Sequence, residues 1–147
     1  MSKEKKLSCG GLIFYGEKML ICRPSWDSGI WNLPKGVKEE NETELETAIR
    51  EIKEETNISI NKDIDVITVI GRLPYNKKKD LFLFHIKLKE FPRGLKCNSF
   101  FERNGKQIPE MVDYKWVSLW DVKSYFSENL NKSLSLIYGE NYNGNKY

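Results

Sequence analysis

The stretch GVKEENETELETAIREIKEETNI, residues 36–58, decides how the rest of this chain is read. Thr43-x-x-Glu46 has the form of a capping box, in which the threonine oxygen accepts from a free backbone N–H and the glutamate reaches back to the cap. A helix is therefore predicted from Thr43 to about Thr56. Leu45, Ala48, Ile49 and Ile52 fall at helical spacing and form one apolar stripe to lay against a sheet. On the charged faces, Glu51 lies within a turn of both Glu54 and Glu55. Three carboxylates so placed repel one another, and a bound divalent cation reverses the sign of that interaction. Hard oxygen donors suit Mg2+ or Mn2+, ions that keep several waters and share their site with substrate phosphates. The loop Pro34-Lys35-Gly36 comes just before, and glycine lets a backbone carbonyl approach the carboxylates unobstructed. A plainer reading uses the same residues: Glu42, Glu46, Arg50 and Glu54 form an i,i+4 series, the pattern of a solvated helix face.

Working outward, two short apolar runs at residues 7–14 and 18–23 flank Tyr15-Gly16-Glu17 and read as a hairpin. Turn formers fill the connection to Trp31-Asn32-Leu33-Pro34-Lys35-Gly36. Strands are predicted at 65–72 and 80–88, the second with Phe82, Phe84 and Ile86 on one side. Pro92, Gly94, Asn98, Asn104 and Gly105 mark 91–107 mainly as loop. A short strand at 114–118 precedes a helix from Leu119 to about Leu130 with Trp120, Val122 and Phe126 inward, and 132–138 is a final turn or helix. The tail, 141–147, is expected to fray. Hairpins and an irregular alternation of strand and helix indicate an α/β chain of the α+β kind, a mixed sheet flanked by helices and not a doubly wound parallel sheet.

The length of 147 residues accommodates one domain with a hydrophobic core, and 39% hydrophobic against 31% charged residues separates the chain from disordered sequences. No run of 18 apolar residues offers a membrane span. The charged opening MSKEKKLSCGGLIF, its apolar run broken by Gly10 and Gly11, reads as a solvated start to a strand and not a signal peptide, so a cytoplasmic location is expected. Three cysteines without CxxC spacing and a single histidine point to neither a disulfide framework nor a zinc site. Serine–histidine or cysteine–histidine catalysis would have to run through His85, which sits in the alternating run LFLFHIKL and reads as a strand partner. The net charge of +3 slightly favours anionic ligands without implying nucleic acid.

The window from Gly36 to Ile58 closely resembles the Nudix hydrolase signature G-x5-E-x7-R-E-U-x-E-E-x-G-U, where U is aliphatic, at eight of its nine fixed positions. The departure is Asn57 in place of glycine. Asparagine tolerates the left-handed cap expected there, so the departure is mild. Further segments resemble the family: SCGGLIF and MLICR its first hairpin, WNLPKG the entry to its loop, and PEMVDYKWVSLWDV its late E-x5-W segment. The resemblance runs from about Ser8 to Val122. It implies a single domain over residues 1–147, an α/β/α sandwich around a mixed sheet, with Mg2+ or Mn2+ as cofactor. By resemblance Glu51, Glu54 and Glu55 bind metal, with Glu54 or Glu55 also the base, and Gly36 supplies a carbonyl. Arg50, beside the catalytic glutamates, pairs with Glu42 to orient loop and helix. Glu110 matches an extra carboxylate that some members use as ligand or base, or is a surface residue of a proline-started loop.

The implied reaction is attack of water on a phosphorus of a nucleoside diphosphate linked to another group. Arg23 and Lys79 are candidate phosphate contacts, although Lys77, Lys78 and Lys79 also fit a solvated turn. Tyr75 lies 17 residues after Ile58 and Pro74 lies 16 after it. A tyrosine near that distance resembles members acting on dinucleoside polyphosphates, and a proline resembles members acting on ADP-ribose. Tyr75 can stack a purine, or simply belong to a Pro-Tyr-Asn-Lys turn. Three alternatives stand beside these substrates: an RNA 5′ end, oxidised nucleotides, and a non-catalytic nucleotide sensor. The first meets no separate basic RNA-tracking region, and the third leaves the intact carboxylates unexplained. A monomer or a homodimer through aromatic surface residues fits the sequence.

Overall fold

The computed structural model describes residues 5–26, 29–139 and Tyr142. Gly16, at φ +61°, turns β1 (Lys6–Tyr15) into β2 (Lys18–Pro24). There follow β3 (Lys35–Val37), α1 (Glu44–Thr56), β4 (Val66–Pro74), β5 (Lys79–Lys87), β6 (Phe100–Arg103), β7 (Lys106–Pro109), β8 (Met111–Ser118) and α2 (Glu128–Tyr138). The main sheet runs β4-β5-β1-β2-β8, with β3 also paired to β1. Among the described strands of this sheet only β1 and β5 pair in parallel, so the sheet is mixed as expected.

β1 shares one edge between two partners. β2 pairs with its far end, at Phe14↔Met19 and Tyr15↔Lys18, while β3 takes its first half, at Ser8↔Val37, Cys9↔Gly36 and Gly10↔Lys35. A side chain at position 10 would prevent this, because a Cβ there would lie 2.3 Å from the Pro34 carbonyl oxygen. The loop leading to α1 is thereby held inside the sheet edge.

Both faces of β1 and β5 are buried, which is why these strands read as nearly continuous apolar runs. Cys9, Ile13, Phe84 and Ile86 pack with Ala48 and Ile52 of α1, whereas Leu12, Phe14, Leu81 and Leu83 pack with Leu130 and Leu134 of α2. The result is the expected α/β/α sandwich. Both ends of α1 are fixed locally. Thr43 Oγ1 accepts the Glu46 N–H at 3.1 Å, Glu46 Oε1 accepts the Thr43 N–H at 2.8 Å, and Asn57 caps the other end at φ 68°. His85 is a strand partner as expected, stacked on Phe14 with ring centroids 4.7 Å apart. Among the described residues no helix is long and apolar enough to cross a membrane.

Two expectations are corrected. Residues 91–107 are not mainly loop at their end, since β6 and β7 form a hairpin there. Its two-residue turn is Asn104-Gly105, with φ of 52° and 77°, the conformation that asparagine and glycine adopt most readily. The helix expected from Leu119 to Leu130 is also displaced. Val122–Ser124 is a single 3-10 turn, and α2 begins only after Ser127, whose side chain accepts the Leu130 N–H. Val122 and Phe126 are buried as expected, but Trp120 is 37% exposed. The final helix expected at 132–138 is the body of α2. Of the tail expected to fray, only Tyr142 is described, and its ring is buried and stacked on Tyr138.

Candidate active site

The helix period and the β1–β3 pairing converge on one cleft of about 320 Å3. Its lining includes Gly36, Glu51, Glu54, Glu55, Glu110 and Lys79, six of the residues singled out from the sequence. Glu51, Glu54 and Glu55 come from the last two turns of α1. Glu110 arrives from the opposite side, between β7 and β8, where its N–H donates to the Ser99 carbonyl at 3.0 Å.

Arg50 organises the outer side of this wall. Its Nε and Nη2 donate to the two oxygens of Glu42 at 2.7 and 2.9 Å, a bidentate pair, and its Nη1 donates to Glu51 at 2.7 Å and Glu54 at 3.3 Å. Nη2 also reaches the Val37 carbonyl at 3.4 Å, which ties β3 to the helix. The Arg50 hydrogen bonds hold the Glu42 carboxyl down to about 2. Gly36 packs directly on the Glu51 carboxylate, and a Cβ there would lie 2.0 Å from Glu51 Cδ. Glycine is therefore required by contact with the acid.

The inner carboxylates sit in a different environment. Glu55 is 3% exposed and accepts the Lys35 N–H at 3.0 Å. Burial, with Glu51 and Glu110 adding repulsion, pushes its carboxyl well above the ordinary range. Glu51 is raised by burial and by Glu54, and Glu110 by burial and by Glu54. Four acids around one cleft, three of them raised, form a hard-oxygen donor set whose excess charge a divalent cation would offset, so their chemistry fits Mg2+ or Mn2+. Among the described residues no three such side chains already converge at metal-shell spacing. Glu51 and Glu54 are drawn to Arg50.

Other expected residues lie further out. Tyr75 does not line the cleft, but Lys35 Nζ stands 5.3 Å above its ring centroid. Arg23 is half-buried at the end of β2 and outside the lining, beside a register shift against β8. Lys77 and Lys78 are exposed in the turn before β5. The lining residues with no role assigned from the sequence include Ser8, Trp26 and Lys35. Lys35 had a legible signal, its place beside Gly36 in the loop that binds the helix. Trp26 is 57% exposed and edge-on to Phe101 of β6, a contact invisible without the hairpin.

Comparison with known proteins bears on this geometry. A NUDIX domain family model matches residues 5–136. An RNA pyrophosphohydrolase from Erythrobacter litoralis is 37% identical over 71 residues, covering 48% of this chain and 38% of that protein, so the match spans well under half of the relative's length. An Ap4A hydrolase from C. elegans aligns with TM-score 0.67 at 25% identity, covering 90% of this chain and 96% of that one. The MutT protein of Methanosarcina mazei Go1 aligns with TM-score 0.67 at 23% identity over 95% and 99% of the two chains. An ADP-ribose pyrophosphatase from Streptococcus suis 89-1591 aligns with TM-score 0.61 at 20% identity over 93% and 95%. The last two likenesses concern the fold alone.

Proposed function

This chain belongs to the NUDIX family, and from that premise we propose that it is a metal-dependent pyrophosphohydrolase of nucleoside diphosphates linked to another group. Dinucleoside polyphosphates are the leading substrates and ADP-ribose the next. The observation that carries this reading is the cleft itself, in which four carboxylates face two lysines, Lys35 and Lys79, that bear no ion pair to them.

Glu51, Glu54 and Glu55, with the Gly36 carbonyl, would hold the ion. A bound Mg2+ or Mn2+ supplies charge neutralisation at the phosphate and a lower pKa for the attacking water. The chain's own residues do the rest. Arg50 draws Glu51 and Glu54 to one side and keeps their oxygens in place, acting with Glu42 as a positioning pair. Glu55 takes the proton from water, because among the described residues its carboxylate accepts only a backbone N–H, from Lys35, whereas Glu54 is held by the Arg50 guanidinium. Lys79 and Lys35 bind phosphate oxygens, and Tyr75, outside the cleft lining but beside Lys35, stacks a base.

A second reading, removal of phosphate from an RNA 5′ end, is favoured by the RNA pyrophosphohydrolase relative. The deciding experiment is a turnover screen with Mg2+ or Mn2+ against diadenosine polyphosphates, ADP-ribose, oxidised dNTPs and 5′-triphosphate RNA. Release of nucleoside phosphates from a dinucleotide, with a raised KM in Tyr75→Ala, is expected. Turnover of RNA alone would favour the second reading, and no turnover of any nucleotide would favour a sensor.

A further inference from the structure

One wall of the cleft, the one that carries Lys35 and Lys79, takes no part in the bond breaking itself. On β1, residues two apart share a face. Ser8 and Gly10 therefore point the same way, and the pair Gly10↔Lys35 brings Lys35 to that face from β3. From the other side, Ser8 pairs with Leu81 in parallel register, so Lys79, two residues earlier on β5, shares it too. Three strands thus set Lys35, Ser8 and Lys79 in one corner. Gly10, with no side chain, lets the Pro34–Lys35 backbone close onto β1 and so brings Lys35 beside Ser8.

The Ser8 hydroxyl is the telling group. Ser8 is 1% exposed, lines the cleft, and its Oγ has no hydrogen-bond partner. An unpartnered buried hydroxyl is unfavourable to folding, and a ligand that accepts its proton removes the defect. Lys35 and Lys79 supply the matching charge. Among the described residues neither ammonium makes a salt bridge; that of Lys35 rests on the Tyr75 ring. The Lys35 side chain also leads away from the acids, since its backbone N–H bonds Glu55 while its Nζ reaches Tyr75.

We propose that Lys35, Ser8 and Lys79 form a seat for a phosphate other than the two joined by the bond being broken, so that the enzyme selects chains of three or more phosphates over diphosphates. This rests on the hydrolase reading of the same cleft. The two phosphates at the scissile bond lie against the carboxylates and their ion. A further phosphate extends into the corner, where two ammonium groups and one O–H donor meet its non-bridging oxygens. A diphosphate leaves the corner empty.

The test measures binding, by calorimetry with Mg2+, of inorganic tripolyphosphate and of pyrophosphate, with phosphorus NMR afterwards to report any hydrolysis. The wild type should prefer tripolyphosphate by ~10-fold or more, the effect of one added charged hydrogen-bonding group. Ser8→Ala and Lys79→Gln should each shrink that preference to below ~3-fold. Ligand-free Ser8→Ala should melt no lower than wild type, since it loses only an unsatisfied hydroxyl. An absent wild-type preference, or one unchanged in both variants, overturns the proposal, as does a fall of more than ~3 °C in the Ser8→Ala melting temperature. The nucleotide screen fails separately: without turnover but with a Ser8-dependent preference, the seat stands and the hydrolase reading falls.

Discussion

The two walls of the cleft are built in opposite ways. The carboxylate wall is local: Glu51, Glu54, Glu55 and Arg50 lie within six residues of one helix that is capped at both ends by its own sequence. The cationic corner is non-local, because Ser8, Lys35 and Lys79 come from three strands and meet only through sheet register. A wall carried by one helix survives as a unit when the helix forms. A corner carried by three strands exists only in the finished sheet.

Predictions follow this contrast in order of size. Glu55→Gln removes the buried base of the helical wall and should lower kcat by ~10^3-fold with little change in KM, read from steady-state kinetics on the best substrate of the screen. If Glu55→Gln keeps its rate while Glu54→Gln loses it, the base is Glu54. Gly36→Ala drives a methyl into the Glu51 carboxylate, where a Cβ would be 2.0 Å from Cδ. It should cost ~10^2-fold in kcat/KM, as misplaced catalytic groups do. An intact melting transition with that loss would keep the damage in the site. Lys35→Gln, on the other wall, should raise KM by ~10-fold with a smaller effect on kcat, because the corner binds phosphate before and after the reaction step alike. A fall confined to kcat would move Lys35 into the chemistry.

The smallest effect concerns pH and stability. Arg50 lowers the Glu42 carboxyl from 4.5 to about 2. A lowered carboxyl in the folded state stabilises fully above its unfolded value, and that stabilisation is lost as pH falls through the folded value. Wild type should therefore melt above Glu42→Gln near neutrality, with the gap closing between about pH 4.5 and 2. A gap that stays constant through this window would remove the pairing from stability altogether.

Legibility in the sequence follows the same division. Thr43-x-x-Glu46 and Asn57 predicted the ends of α1, and both caps have the expected geometry, because capping depends on backbone groups only a few residues away. The β6–β7 hairpin was also locally encoded, in Asn104-Gly105, yet its four-residue strands alternate too weakly to stand out beside the glycines and asparagines of 91–107. α2 was misplaced for a related reason. Val122, Phe126, Leu130 and Leu134 keep helical spacing straight through Ser127, so periodicity concealed the cap that starts the helix.

By itself, the sequence determined α1 and its acids, since a helix places residues three and four apart together whatever surrounds it. It also determined the need for glycine at position 36. Only the tertiary structure decided that the Glu51 carboxylate is what fills the space a side chain there would occupy, that Glu110 closes the cleft from the distant junction of β7 and β8, and that Lys35 lies over Tyr75. It alone left the Ser8 hydroxyl without a partner. Register between strands depends on the whole sheet and on both helical layers, and a one-residue slip would turn Ser8 and Lys35 to the other face.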